Sequence, residues 1–395
     1  MGLFEIPEEE FERIDGLLNE IDAALTRIEA SVGGIENRVT AIENVLNEIP
    51  DLPPDEEEPP DEEPEIPGPV AGVWLSTEEI MALPTDGEAW EQVLEAANSG
   101  WGEADLSDNN SQHDVKTLAG ALVAVRLEDA SMRNKVVEGL RSAMQSGLDR
   151  SLELSRGLQS YVVAADLIGY TESDFKEWLA EVVVAGIPDH SAPGDSGLYG
   201  TALYSATNWG THARASLAAA AIYLGRDDWK EDVVNAQKEM IGLPVPDPKF
   251  NYDNTTWHAD PDNKAGINRK GSTINGVFVG GVLPEDWRRG EEFKWPPTKS
   301  GYMHEGLQGL VVTAAILHRA GLLPFDAGDN AIVRALNMVY GLGEASQNDP
   351  VFEFPVGGDD TWIPYVVNYY AGTDFETTIG SPGKGVGYTA WTHGQ

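Results

Sequence analysis

Between residues 11 and 49 an isoleucine returns at every seventh position: Ile14, Ile21, Ile28, Ile35, Ile42 and Ile49, interleaved with Leu18, Leu25, Val32, Val39 and Leu46. The spacing alternates four and three residues without a break, the period of a helix that buries one seam against other helices of its kind. Since position a precedes position d by three residues, the Leu/Val set occupies a and the Ile set occupies d. That choice disfavours a dimer and points to a trimer or tetramer. Gly33 and Gly34 fall off the seam, where they loosen the helix without interrupting the pattern. Residues 1–49 are therefore expected to form a coiled-coil stalk that makes the protein a homo-oligomer through residues 11–49, with a trimer favoured. From Pro50 to Pro69 the chain is almost wholly proline, aspartate and glutamate. Proline removes helix donors and like charges repel, so residues 50–70 read as an extended acidic linker. Residues 71–395 are left to form the globular part.

Charge narrows the partners of that part. Acidic residues number 66 against 26 basic, a net charge of -40. A field of that sign repels polyanions, so no nucleic-acid partner is expected. The acids are spread along the whole chain and lysine is scarce, a pattern suited to high salt, where the Debye length shrinks to about 3 Å at 1 M. Cysteine is absent, which excludes disulfides and thiolate metal sites. No apolar run reaches spanning length and the N-terminal region is acidic and heptad-patterned, so neither membrane insertion nor a secretory signal is expected.

Helical periodicity marks 87–98, 113–128, 131–146, 152–168, 173–186, 207–224, 228–241, 302–320 and 328–342, many joined by short turns that favour antiparallel pairs. The predicted fold is mainly α: the coiled coil, then an (α/α) toroid, that is an incomplete α/α barrel, with a simple bundle as the alternative. Residues 243–301 are rich in Pro, Gly, Asn and Trp and read as a long irregular insertion with short strands near Gly276–Gly280. Such long loops in a compact domain are usually functional. Val351 to Gln395 reads as irregular and aromatic.

No phosphate-binding loop, dinucleotide fingerprint or zinc-protease motif is present, and no cofactor or metal is expected. Gly194-Asp-Ser-Gly197 lacks the setting of a serine nucleophile. His258 and Asp260 fit loop stabilisation better than a cation site. Glu305, Asp359 and Asp360 are carboxylates that a glycosidase pair would need. The most informative stretch is Asn208-Trp-Gly-Thr-His-Ala-Arg214, followed by Ala215, Ala218, Ala219, Ala220 and Ala221. A helix with alanine on every side accepts close neighbours all round, so it belongs in the middle of a helical domain with its polar first turn facing a cavity. Asn208 could equally be a plain N-cap. Tyr302 and His304 open a second helix of the same kind, with Leu307, Leu310, Val311, Ala314 and Ala315 behind them.

These stretches, with Gly72-Val-Trp-Leu-Ser76, Leu83-Pro-Thr-Asp-Gly-Glu-Ala-Trp90, Leu158-Gln-Ser-Tyr161 and Gly281-Val-Leu-Pro-Glu-Asp-Trp-Arg-Arg-Gly290, resemble the alginate-lyase-type polysaccharide lyases. The resemblance covers 72–395 and implies an α/α toroid that cleaves uronate polysaccharides by β-elimination. By position, Asn208 matches the asparagine that binds the substrate carboxylate, Tyr302 the base or acid, and Arg289 the arginine preceding that tyrosine. In the family a histidine directly follows the asparagine; here Trp209 does, and His212 or His304 is left to supply the imidazole. The implied substrate-binding set is Trp209, Arg214, Arg288, Tyr161, Lys299 and Trp295. Arg269, Lys270, Arg288, Arg289, Lys294 and Lys299 would make the cleft locally basic, fit for an acidic polysaccharide. Such a head on such a stalk resembles a viral tail fibre or spike, placed on the virion tail surface or otherwise outside the cell. Three readings stay open: a lyase, a binding protein on a lyase fold, and a glycoside hydrolase using Glu305 or Asp360.

Overall fold

The helical periodicity of the sequence is realised almost segment by segment. A computed structural model describes Pro69 and residues 71–108, 110–187, 197–253, 255–288, 291–298, 301–348, 361–382 and 385–394. The predicted coiled coil and, Pro69 apart, the linker lie outside these residues. The chain divides into two compact units, Met1–Glu63 and Pro64–Gln395, and the described residues belong to the second, a bundle of interacting helices. In chain order they form α1 (Thr77–Ala82), α2 (Glu88–Asn98), α3 (His113–Leu127), α4 (Ala130–Met144), α5 (Ser151–Leu167), α6 (Ser173–Val184), α7 (Leu198–Tyr204), α8 (Asn208–Tyr223) and α9 (Asp227–Met240). There follow β1 (Thr273–Ile274), β2 (Val277–Phe278), α10 (Pro284–Arg288), α11 (Tyr302–Arg319), α12 (Ala327–Asn348), α13 (Ile363–Ala371) and α14 (Thr389–Thr392).

Burial sorts the long helices into two kinds. In α3, α5, α8 and α11 nearly every residue is buried, whereas α2, α4, α6 and α9 bury one face. The buried helices pack in a row, α3 on α5, α5 on α8 and α8 on α11, and the one-faced helices lie against them. Composition explains the difference. Small residues along α8 let α5 and α11 approach from two sides, while the charged faces of α4 and α9 have to stay in water. α11 presses its backbone onto that of α8 at Gly309. A Cβ there would lie 2.5 Å from the Thr211 carbonyl oxygen and nearer still to the His212 amide nitrogen. Ser216 of α8 adds a polar stitch to α5, accepting from the Gln159 amide (3.0 Å) and donating to the Ser155 carbonyl (2.7 Å).

Short connections set the antiparallel pairs. Glu128 and Asp129 alone join α3 to α4, and Asp129 caps α4 by accepting from the Met132 amide (2.9 Å). At the front of the unit Ser76 and Glu79 form a capping box on α1. Glu79 then receives both ends of the Arg319 guanidinium (2.8 and 2.7 Å), tying α1 to the last turn of α11.

The insertion is not structureless. Ile274 pairs with Val277 across a two-residue Asn275-Gly276 turn, both residues having positive φ (51° and 83°) as the mirror-image hairpin turn requires. Trp257, Trp287, Phe293 and Trp295 make a small core of their own, with ring centroids 4.9 Å apart for Trp257–Phe293 and 6.0 Å for Trp287–Trp295. The C-terminal segment, read as irregular, contains α13. Ile363, Val366 and Val367 are its buried stripe, and Pro364 sits in the first turn, where its missing amide costs nothing.

Candidate active site

Three buried helices bring their heads to one place. Asn208 is the first residue of α8, after Thr207 at the N-cap. Its side chain does not cap its own helix: Nδ2 donates to Glu305 Oε2 in the first turn of α11, at 2.8 Å. Arg156, in the second turn of α5, donates from Nη2 to the same oxygen. The two donors are inaccessible and the acceptor is not. Asn208 is 1 % exposed and the Arg156 side chain 9 %, whereas the Glu305 side chain keeps 32 %. A cation and an amide fixed on rigid helices therefore hold one carboxylate at the edge of solvent, a charge-assisted arrangement.

Arg156 also lines a narrow, open cleft with Asp105, Asp108, Asp114, Glu153 and Tyr161. Asp114 belongs to the first turn of α3 and Glu153 to that of α5, so four buried helices contribute head residues to this region. Carboxylates there are favoured by the positive ends of the helix dipoles. Below the cleft, His113 Nδ1 and Tyr161 Oη are 2.9 Å apart. Burial, with Lys116 nearby, pushes the His113 imidazole down to about 4, and burial, with Asp114, raises the Tyr161 phenol well above 10. Burial thus favours the uncharged form of both groups, and Tyr161 lines the cleft.

On the far side of Asn208 lies α10. Its two central carboxylates, Glu285 and Asp286, are both buried. Asp286 Oδ1 accepts the Asn208 backbone N–H at 2.9 Å. Glu285 accepts from Arg288 Nε (2.9 Å) and lies 2.9 Å from His258 Nε2, and Arg288 also pairs with Asp253.

The sequence-predicted residues are spread across three settings. Asn208 is buried and bonded to Glu305, and Tyr302, 39 % exposed, lies one helical turn ahead of Glu305 on α11. Trp209 is half-buried beside Arg150, whose guanidinium is 5.8 Å from its ring centre. His212 and His304 are buried, and His212 sits where α8 meets Gly309. Arg214 is fully buried, donating to the Ala202 (3.1 Å) and Ser205 (2.8 Å) carbonyls over the Phe250 ring, with burial lowering its pKa to about 10. It ties α7 to α8. Tyr161 is buried likewise, and Trp295 is half-buried in the aromatic core of the insertion. The expected basic cluster is corrected at Arg288, whose charge is matched by Glu285 and Asp253, and at Arg269, which donates to the Gly242 (3.2 Å) and Asn263 (2.6 Å) carbonyls. Arg289, Lys299, Asp359 and Asp360 lie outside the described residues.

Arg156, Glu285 and Asp286 were not singled out as site residues by the sequence. The signal for Arg156 was a charged residue inside Leu154-Ser-Arg-Gly-Leu158, where its four nearest neighbours are all small or apolar. Among the described residues no group of three or more His, Asp or Glu side chains is arranged to hold a metal ion, and no helix is long and apolar enough to cross a membrane. A scan against protein-family models matches none, and a search of the curated proteins finds no relative.

Proposed function

We propose that residues 71–395 are a polysaccharide-lyase head of α/α-toroid type that binds and cleaves a uronate-containing cell-surface polysaccharide by β-elimination. The observation that carries this reading is the joint grip of Arg156 and Asn208 on a single carboxylate oxygen of Glu305. A pair of donors that holds a carboxylate is what the reaction needs, because the C5 proton of a uronate leaves only if the neighbouring carboxylate is neutralised in the enolate-like intermediate. In the proposed complex the substrate carboxylate takes the place of Glu305 between the two donors. Tyr302 takes the C5 proton, the C4–O4 bond breaks as the C4–C5 double bond forms, and the proton is returned to the departing O4. A free phenol ionises near pH 10, so a cation beside Tyr302 in the complex must favour its phenolate; Arg289 is assigned that part by the family resemblance. The row of buried helices flanked by one-faced helices supports the toroid.

The heptads of residues 11–49 support a homotrimeric stalk, and stalk, linker and head together support a viral tail fibre or spike working in high salt at a host surface. A second reading, glycoside hydrolysis, is favoured by the carboxylates of Asp114, Glu153 and Glu305 around Arg156.

Ultraviolet absorbance during incubation with alginate, polygalacturonate and hyaluronan in high salt separates the readings. β-Elimination leaves a conjugated unsaturated uronate that absorbs; the expected result is a rising signal abolished by Tyr302→Phe. New reducing ends without absorbance, lost in Glu305→Gln, would replace the lyase by a hydrolase. Binding without either product would make the head an adhesin.

A further inference from the structure

The N-terminus of α8 is capped from elsewhere in the chain. Thr207 occupies the N-cap but makes no side-chain bond to its own helix; its hydroxyl is 2.9 Å from Ser205 Oγ instead. The first amide of the helix, that of Asn208, is taken by Asp286 from α10, 78 residues further on. Asp286 is wholly buried. It is also wedged against α11, since a Cβ on Gly306 would stand 2.5 Å from Asp286 Oδ2. Gly306 directly follows Glu305. One carboxylate therefore touches the backbone of Asn208 and abuts that of Gly306, the neighbour of the Glu305 that the Asn208 side chain holds. A local threonine cap would satisfy the helix end equally well, but it would leave the spacing between α8 and α11 undetermined.

We propose that Asp286 is a positioning residue: it fixes Asn208 against Glu305 and Arg156, and so sets the carboxylate seat. Its neighbour Glu285 faces the insertion, gripping Arg288 and His258. The two consecutive carboxylates of α10 thus join the folded insertion on one side to the seat on the other. This inference rests on the seat proposed above, and it assigns that seat's geometry to a residue that touches no substrate.

The test is a double-mutant cycle in the full-length protein with Asp286→Ala, Asn208→Ala and the pair, read as kcat and KM on whichever of alginate, polygalacturonate and hyaluronan is turned over. If none is turned over, affinity for the same three polymers, followed by tryptophan fluorescence, takes their place. A seat displaced by about 1 Å loses about 100-fold in rate. Asp286→Ala is expected to show that loss alone, and almost none once Asn208 is alanine. Asp286→Asn, which keeps a carbonyl acceptor for the Asn208 amide, is expected to restore most of it. Equal losses in both backgrounds would overturn the proposal while leaving the seat intact. An Asn208→Ala protein as active as the wild type would overturn the seat itself. Hydrogen exchange decides where folding or substrate fails: the first-turn amides of α8 must open in Asp286→Ala and in Gly306→Ala but stay protected in Asp286→Asn. Unchanged protection in both would refute the role.

Discussion

Gly309→Ala is the sharpest test of the packing that makes the site. The added methyl would sit 2.5 Å from the Thr211 carbonyl oxygen, and an ordinary contact is about 1 Å longer. Its obstacle is the backbone of α8, which has no rotamer to change, so the two helices have to separate. Overpacking of a well-filled core costs about 1–3 kcal/mol, and a clash with backbone belongs at the upper end, about 3 kcal/mol. Against a domain stability of about 5–15 kcal/mol this is a large share. With an m-value of about 3 kcal/mol/M, the urea midpoint followed by tryptophan fluorescence is expected to fall by about 1 M. Gly341→Ala is the control, because a Cβ there meets nothing within 4 Å in α12; relieving helical glycine is expected to raise stability by about 0.5–1 kcal/mol. Gly309 lies one turn beyond Glu305 and Thr211 one turn beyond Asn208, so the wedge opens the seat as well. Polymer turnover should fall even under conditions where the protein is fully folded. A Gly309→Ala midpoint equal to that of the wild type would show that the α8–α11 contact is not the rigid backbone contact described, and the site geometry built on it would fail too.

Arg156→Ala removes the cation of the seat and should lower turnover about 100-fold or more, with Arg156→Lys recovering part of it because the charge returns without the planar fork. Arg214→Met should destabilise the unit by about 2–4 kcal/mol in urea melts without a comparable change in KM, since its partners are the buried Ala202 and Ser205 carbonyls. Stability should fall with acid through His393, whose pKa burial, with Arg319, lowers to about 3. Below about pH 6.5 the unfolded chain takes up a proton at this position that the folded state refuses, so each pH unit down to about 3 costs about 1.4 kcal/mol from this group; in melts taken across the range, His393→Phe should remove that contribution and leave the one from His113. In sedimentation the full-length protein should run as a trimer or tetramer, and Ile28→Asp with Ile35→Asp should release monomers with the helical circular dichroism of the head retained.

The helices were legible because burial writes itself into spacing. The alanine run of α8 announced a helix enclosed on all sides, and Gly276–Gly280 announced short strands, of which β2 (Val277–Phe278) is one. The seven-residue α7 and nine-residue α13 were missed because so few turns leave little periodicity to read. Asn208 was legible as a candidate, but that its side chain turns to Glu305 while Asp286 takes its backbone amide needed the structure. Arg156 and Asp286 were not legible. Each matters through a partner 149 or 78 residues away, and no local pattern records which polar groups of two buried helices will meet. The basic cluster is revised at Arg288 for a related reason. A run of Arg and Lys gives charge but not its neighbours, and Glu285 and Asp253 neutralise Arg288 once the insertion folds.

The remote capping of α8 also bears on the order in which the molecule is built. Pairs such as α3–α4 and α8–α9 close loops of a few residues and can form early, at little entropic expense. The seat cannot: its bonds span 97 residues between Asn208 and Glu305 and 149 between Arg156 and Glu305, and they form only after α5, α8, α10 and α11 have docked. A nascent or partly folded head therefore carries all its chemical groups without yet carrying the site. Any anion that occupies the seat recognises chains that have completed their folding and passes over those that have not.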